Sequence, residues 1–442
     1  MTGPGDRAAT ARIGRRGERG KDGRPSRAAS SPHAASRREA LALRRAGPAT
    51  PAPGCPAAKR LALAAAGFLL VATPHLADAA AGDPLPGLSP AHLQWFADGK
   101  VAFDREYTPE TGLGPTFNGV SCVECHSDPA AGGGSAIPVK RFGRASGDTY
   151  DTLLAEGGPL LQSKAIDPAC AEEIPADANV VAERLTTPLF GGGLVEAIPD
   201  ASILARADPD DADRDGISGR AHVVHYPGAV RVGRFGWKAH EATLLSFTAD
   251  AMASEMGVTN ALEPSAPPPN GDTALAAACE AMEGTSDPED VTPVDGFSEL
   301  VKITNFSRLL APPTDAGRPS GRGWKTFRRV RCERCHTARW TTGRHTIPAL
   351  AYVTFYPYSD FLLHDMGSLG DGIVQGGAGA TEMRSAPLWG IAQRTKLLHD
   401  GRATTIEEAI LAHDGEAADS RDRYLRLGPD ARQRLLVFVA GR

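Results

Sequence analysis

The first 60 residues contain almost no large apolar side chains, and that lack excludes a packed core there. They are rich in Ala, Arg, Pro, Gly and Ser and hold 14 Lys and Arg against 4 Asp and Glu. Residues 1–58 therefore read as a disordered basic leader, or as the product of a start site upstream of the true one. The apolar run Leu61 to Thr73 falls short of the ~20 residues that span a bilayer comfortably. It has instead the length of a secretory signal, with Lys59-Arg60 before it and a small-x-small site, Ala77-Asp78-Ala79, after it. Residues 59–81 are the expected signal peptide, the mature chain starts near Ala80 and its compartment is the periplasm. No stable membrane span is expected after cleavage. The leader carries +10 and Asp78 contributes −1, which leaves −14 for residues 82–442 of a chain whose total is −5. No nucleic-acid partner is expected, and an acidic surface points to a basic protein partner.

Cysteine is scarce: seven in 442 residues. Cys55 goes with the leader. Four more form Cys122-Val123-Glu124-Cys125-His126 and Cys332-Glu333-Arg334-Cys335-His336. Zinc would need two C-x-x-C pairs converging on one ion, and these pairs are some 200 residues apart. C-x-x-C-H attaches haem for concrete reasons. Two thiols three apart lie on one side of a helical turn and form thioethers with the porphyrin vinyls, and the adjacent imidazole meets the iron. The expected cofactors are two covalent haem c groups, with His126 and His336 as iron ligands. Cys170 and Cys279 remain, and an oxidising compartment favours a disulfide between them, with two separate buried thiols as the alternative.

The far side of each iron decides between electron transfer and catalysis. Thr405-Ile406-Glu407-Glu408 is a capping box. Behind it Ile406, Ala409, Ile410 and His413 share one helical face, which makes His413 a candidate ligand of the second haem, with Met366 as the other. For the first haem, Trp237, His240 and Glu241 bring an aromatic, an imidazole and a carboxylate to one segment. His222 and His225 sit on a strand-like stretch. Asp211, Asp213 and Asp215 before Gly216 resemble half of a calcium loop, but the twelfth position is His222 rather than Glu, so calcium needs ligands from elsewhere. Ser89-Pro90 starts a helix carrying Leu93, Phe96 and Phe103, and Leu435, Leu436, Phe438 and Val439 mark another at the C-terminus.

These residues resemble a known family, the dihaem oxidoreductases described as putative peroxidases. The likeness covers about residues 85–442. It rests on Phe117 to Pro129, Thr187-Pro188-Leu189-Phe190-Gly191, Gly233-Arg234-Phe235-Gly236-Trp237-Lys238-Ala239, Leu363-His364-Asp365-Met366-Gly367, and Leu398 to Ala403. The family is similar, more distantly, to bacterial dihaem cytochrome c peroxidases, whose second-haem methionine falls at His413. The resemblance implies a bis-histidine second haem, as in the similar rubber oxygenases. Where those peroxidases carry an acid glutamate, this chain has Ser246 or Phe247, so Glu241 or His240 would have to substitute.

The expected fold is mainly α: two cytochrome-c-like haem domains with long loops, 82–300 around the first motif and 301–442 around the second. The expected activity is a dihaem c-type oxidoreductase. Electrons from a small cytochrome or cupredoxin enter at the second haem and pass to the first, where a small-molecule oxidant such as hydrogen peroxide is reduced. The alternatives are a dihaem electron-transfer cytochrome, or an oxygenase or oxidase of an organic substrate or thiol.

Overall fold

A computed structural model describes residues 79–265, 267–282, 296–313 and 318–442. The basic leader, Cys55 and all but the last few residues of the expected signal peptide lie outside them. Among the described residues no helix is long and apolar enough to cross a membrane.

The fold is not mainly α, contrary to expectation: it is 36% helical and 15% strand, with several small sheets. The largest is three-stranded and antiparallel, with Pro138–Ser146 between Thr149–Asp151 and Val180–Leu185. A hairpin pairs Val223–Tyr226 with Ala229–Val232, and Leu363–Asp365 pairs with Glu382–Arg384. The strands are short and separated by Gly- and Pro-rich turns, so their alternation is too brief to stand out in sequence.

Two aromatic cores carry the two motifs, and they are built alike. In the first, the helix Pro90–Asp104 crosses the helix Glu299–Leu309 at Gly99, where a Cβ would run into the Lys302 carbonyl. Ser89 caps the first of these helices and Pro90 opens it. The close crossing packs Phe103 against Phe306 in a tilted pair, ring centres 4.7 Å apart, and Phe103 meets the His126 ring at 6.0 Å. In the second, the helix Gly321–Arg329 crosses the helix Pro429–Ala440 at Gly323, where a Cβ would collide with Phe438. Phe327 packs against Phe438 in a tilted pair at 5.3 Å and meets the His336 ring at 6.5 Å. Full burial of such rings is worth about 1.5–3 kcal/mol each, so each motif histidine is seated against a well-buried aromatic pair.

Cys170 and Cys279 form a disulfide, with Cα atoms 6.1 Å apart. It ties the 3-10 turn Pro168–Cys170 to the helix Thr273–Glu280.

Candidate haem sites

Each C-x-x-C-H motif opens onto its own cavity. All four motif thiols are free. Burial pushes the Cys122 and Cys332 thiols up to about 12 and Cys125 up to about 11, so they sit as neutral SH groups at the cavity walls. Burial also pulls His126 and His336 down to about 4, which keeps both imidazoles neutral and able to bind a metal.

Three histidines share one arrangement. His126 Nδ1 donates to the Gly133 carbonyl (3.0 Å), His336 Nδ1 to the Tyr358 carbonyl (2.9 Å) and His413 Nδ1 to the Ala409 carbonyl (2.7 Å). A metal-bound histidine is ordinarily held in this way, with the other nitrogen left for the metal. His413 takes its position from the helix Ile406–Leu411, whose capping box joins Thr405 and Glu408 in both directions. The rings of His336 and His413 face one another with centres 6.4 Å apart. Two imidazoles bound to opposite sides of one metal, at about 2 Å each, set their centres roughly 6.3 Å apart. Met366 lines the same cavity.

The first cavity differs. Among the described residues no imidazole stands over His126 as His413 stands over His336. The Thr186 hydroxyl lies 2.9 Å from His126 Nε2 and is the group that a metal would displace. His240 and Trp237 line this cavity. Both ring nitrogens of His240 are buried without a hydrogen-bond partner, and the Asp250 carboxylate is 3.9 Å from Nε2. The ring rests edge-on against Phe247, and Gly236 (φ +73°) leaves it room, since a Cβ there would collide with the imidazole. Burial first, and the charges of Arg141 and Arg184 second, hold His240 well below the usual histidine range. Glu241 does not line the cavity; its carboxylate accepts from the Tyr226 hydroxyl at 2.8 Å.

Two acids at this cavity escaped the sequence reading. Asp250 and Glu255 project from the helix Leu244–Met256 on the face that also carries Phe247, Ala251 and Ser254. Burial raises both carboxyls, and Glu255 accepts from the Asn118 amide at 2.8 Å. The spacing 247, 250, 251, 254, 255 is one helical stripe, and its two acids were the available signal.

Trp237 lines both cavities. Its segment is strapped in place from every side. The indole N–H donates to the Leu185 carbonyl at 2.7 Å, and the Arg384 backbone N–H donates to the Trp237 carbonyl at 2.8 Å. The buried Lys238 donates to the carbonyls of Gly379, Ala380 and Glu382 and pairs with Asp371 at 3.1 Å. Asp371 also takes the buried Arg184 at 2.6 Å.

The remaining candidates are elsewhere. His222 is saturated, donating to the Lys238 carbonyl and accepting from the Gly377 N–H. Asp211 and Asp213 gather with Asp208, with oxygens within 4.8 Å of one another, while Asp215 turns to the Arg334 guanidinium at 3.1 Å. Asp208 and Asp211 already accept backbone N–H groups of their own loop.

The cavities fit haem: paired thiols, a backbone-tethered imidazole on one wall, and an arginine, Arg141 in the first and Arg394 in the second, to meet a propionate. A family model described as "Di-haem oxidoreductase, putative peroxidase" matches residues 162–441, a span that includes the second C-x-x-C-H motif. No curated protein matches the chain.

Proposed function

This chain belongs to the di-haem oxidoreductase family, and from that premise we propose that it is an exported c-type enzyme that reduces hydrogen peroxide at its first haem. The observation that carries the reading is the inequality of the two cavities. His336 and His413 oppose each other at a bis-histidine distance, whereas the wall facing His126 offers an unpartnered imidazole beside a carboxylate.

Cys122, Cys125 and His126 would hold one haem, and Cys332, Cys335 and His336 the other. His413, in preference to Met366, would complete the second site. Bound haem iron supplies one-electron redox chemistry and, at the first site, a position for the oxidant. Electrons from a small cytochrome or cupredoxin would enter at the second site, and Trp237, the side chain common to both cavities, would bridge the two.

Reduction of one peroxide consumes two electrons and two protons, breaks the O–O bond and yields two waters. His240 moves the proton. Its neutral imidazole accepts a proton from one peroxide oxygen and returns it to the departing oxygen, and Asp250 steadies the charge that develops. Phe247 and Met252 keep bulk water from this wall. The export signal read in the sequence and the disulfide Cys170–Cys279, which suits an oxidising compartment, support a periplasmic location.

The test is a titration of the fully reduced holoprotein with hydrogen peroxide under anaerobic conditions. The expected result is rapid oxidation of both haems with a stoichiometry of one peroxide per protein. Oxidation no faster than that of a bis-histidine electron carrier would refute it.

A further inference from the structure

Residues 321–344 hold eight Lys and Arg against one acid, Glu333, a net of +7 in a mature chain whose total is −14. The remainder of residues 82–442 therefore carries −21. This basic island is also ordered in space. Arg322, Lys325 and Arg329 are exposed on the helix Gly321–Arg329, spaced i, i+3 and i+7, so they share one face. The opposite face is the core, where Thr326 and Phe327 are buried. Among the described residues none of these three cations has an ion-pair partner. Their neighbours do: Arg328 reaches Glu333 at 3.6 Å, Arg331 reaches Asp419 at 3.4 Å, and Arg334 reaches Asp215 at 3.1 Å. Three unpaired cations thus share the outer helix face.

The position matters as much as the sign. This helix ends three residues before Cys332, and its Phe327, with Arg331, lines the second cavity beside that thiol. The sulfur of Cys332 marks a porphyrin edge in the reading above, so the cationic face lies next to the edge through which an electron would arrive.

We propose that this face is the docking surface for the electron donor and that the donor is a small redox protein with an acidic contact face. The inference rests on the reading that electrons enter at the second haem. It reverses what net charge alone implies: a donor is steered by the field at its landing site, and here a positive island is set off by a negative surround that turns a misaligned acidic partner away.

The test uses the dihaem holoprotein and stopped-flow reduction by two purified donors, a reduced acidic cupredoxin and a reduced basic cytochrome c. With the acidic donor, the second-order rate should fall at least tenfold between about 10 mM and about 200 mM salt. The triple variant R322E/K325E/R329E should be at least tenfold slower at low salt, while reduction by a small uncharged hydroquinone stays unchanged and shows the fold and haems intact. The basic donor should be slower, with a rate that rises with salt. An unaltered rate in the triple variant, or a basic donor that is fast and slowed by salt, overturns the proposal. So does loss of binding to anionic-lipid vesicles in the variant with donor kinetics unchanged, which would make the face a lipid contact. Freeze-quench EPR separates this failure from failure of the underlying reading. A first haem reduced before the second sinks the electron route, whereas a second haem reduced first at a charge-independent rate sinks only the docking surface.

Discussion

Replacing His240 by leucine should separate activity from stability, with opposite signs. The imidazole is enclosed, both nitrogens lack partners, and the nearest carboxylate stands 3.9 Å from Nε2. A polar group buried in that state costs about 1–3 kcal/mol, and an apolar side chain of comparable bulk removes the cost. Against Phe247 and in the space left by Gly236, leucine has room. The expected change in unfolding free energy therefore lies between about zero and 2 kcal/mol in favour of His240→Leu, because a water brought in with haem would offset part of the gain. Activity should move the other way. Loss of a positioned acid–base group typically lowers the rate by about 10²–10⁴-fold. The assay pairs steady-state peroxide consumption by a reduced donor with denaturant unfolding followed at the Soret band. A rate within about threefold of the parent, or a variant destabilised by more than about 2 kcal/mol, would refute the placement of His240 as an unpartnered proton carrier.

Three further outcomes follow from other parts of the fold. His413→Gly should convert the second haem from six- to five-coordinate, visible as a shift of its Soret and EPR signals, with restoration by added imidazole; an unchanged spectrum points to Met366. Removing the disulfide as C170A/C279A opens a loop of sequence separation 109 and should cost up to about 5 kcal/mol by chain entropy, read as a lowered denaturation midpoint with unchanged haem spectra. Burial pushes the Glu172 carboxyl up to about 7. Between its ordinary value and 7 the folded chain holds a proton that the unfolded chain has released, so stability falls as pH rises through that window. Glu172→Gln should flatten this slope, by on the order of 2 kcal/mol between pH 4.5 and 8 after discount for its partial exposure.

What could be read from sequence is what depends on neighbours along the chain. Ser89 and Pro90 start their helix, Thr405 and Glu408 form their capping box, and the motif cysteines open onto cavities because turns of a few residues dictate those features. The stripe Ile406, Ala409, Ile410 and His413 put an imidazole on an apolar face, and that face does look onto His336. The small sheets escaped because strands such as Leu363–Asp365 and Glu382–Arg384 find their partners across intervening loops. Asp250 and Glu255 escaped for a related reason: their helix passes over a cavity that the distant strand Val180–Leu185 and the Cys122–His126 turn complete. Net charge is a coarse guide for a further reason. The total of −14 was correct, yet it hid the basic island at residues 321–344, and a redox partner responds to the local field rather than the total.

Inequality of the two haem sites is tested most directly by EPR of the fully oxidised holoprotein before and after addition of cyanide. The expected spectrum has one low-spin bis-histidine signal, insensitive to cyanide, and one high-spin or water-ligated signal that cyanide converts to low spin. Two cyanide-insensitive low-spin signals would contradict it, because the cavity facing His126 would then be closed to any oxidant.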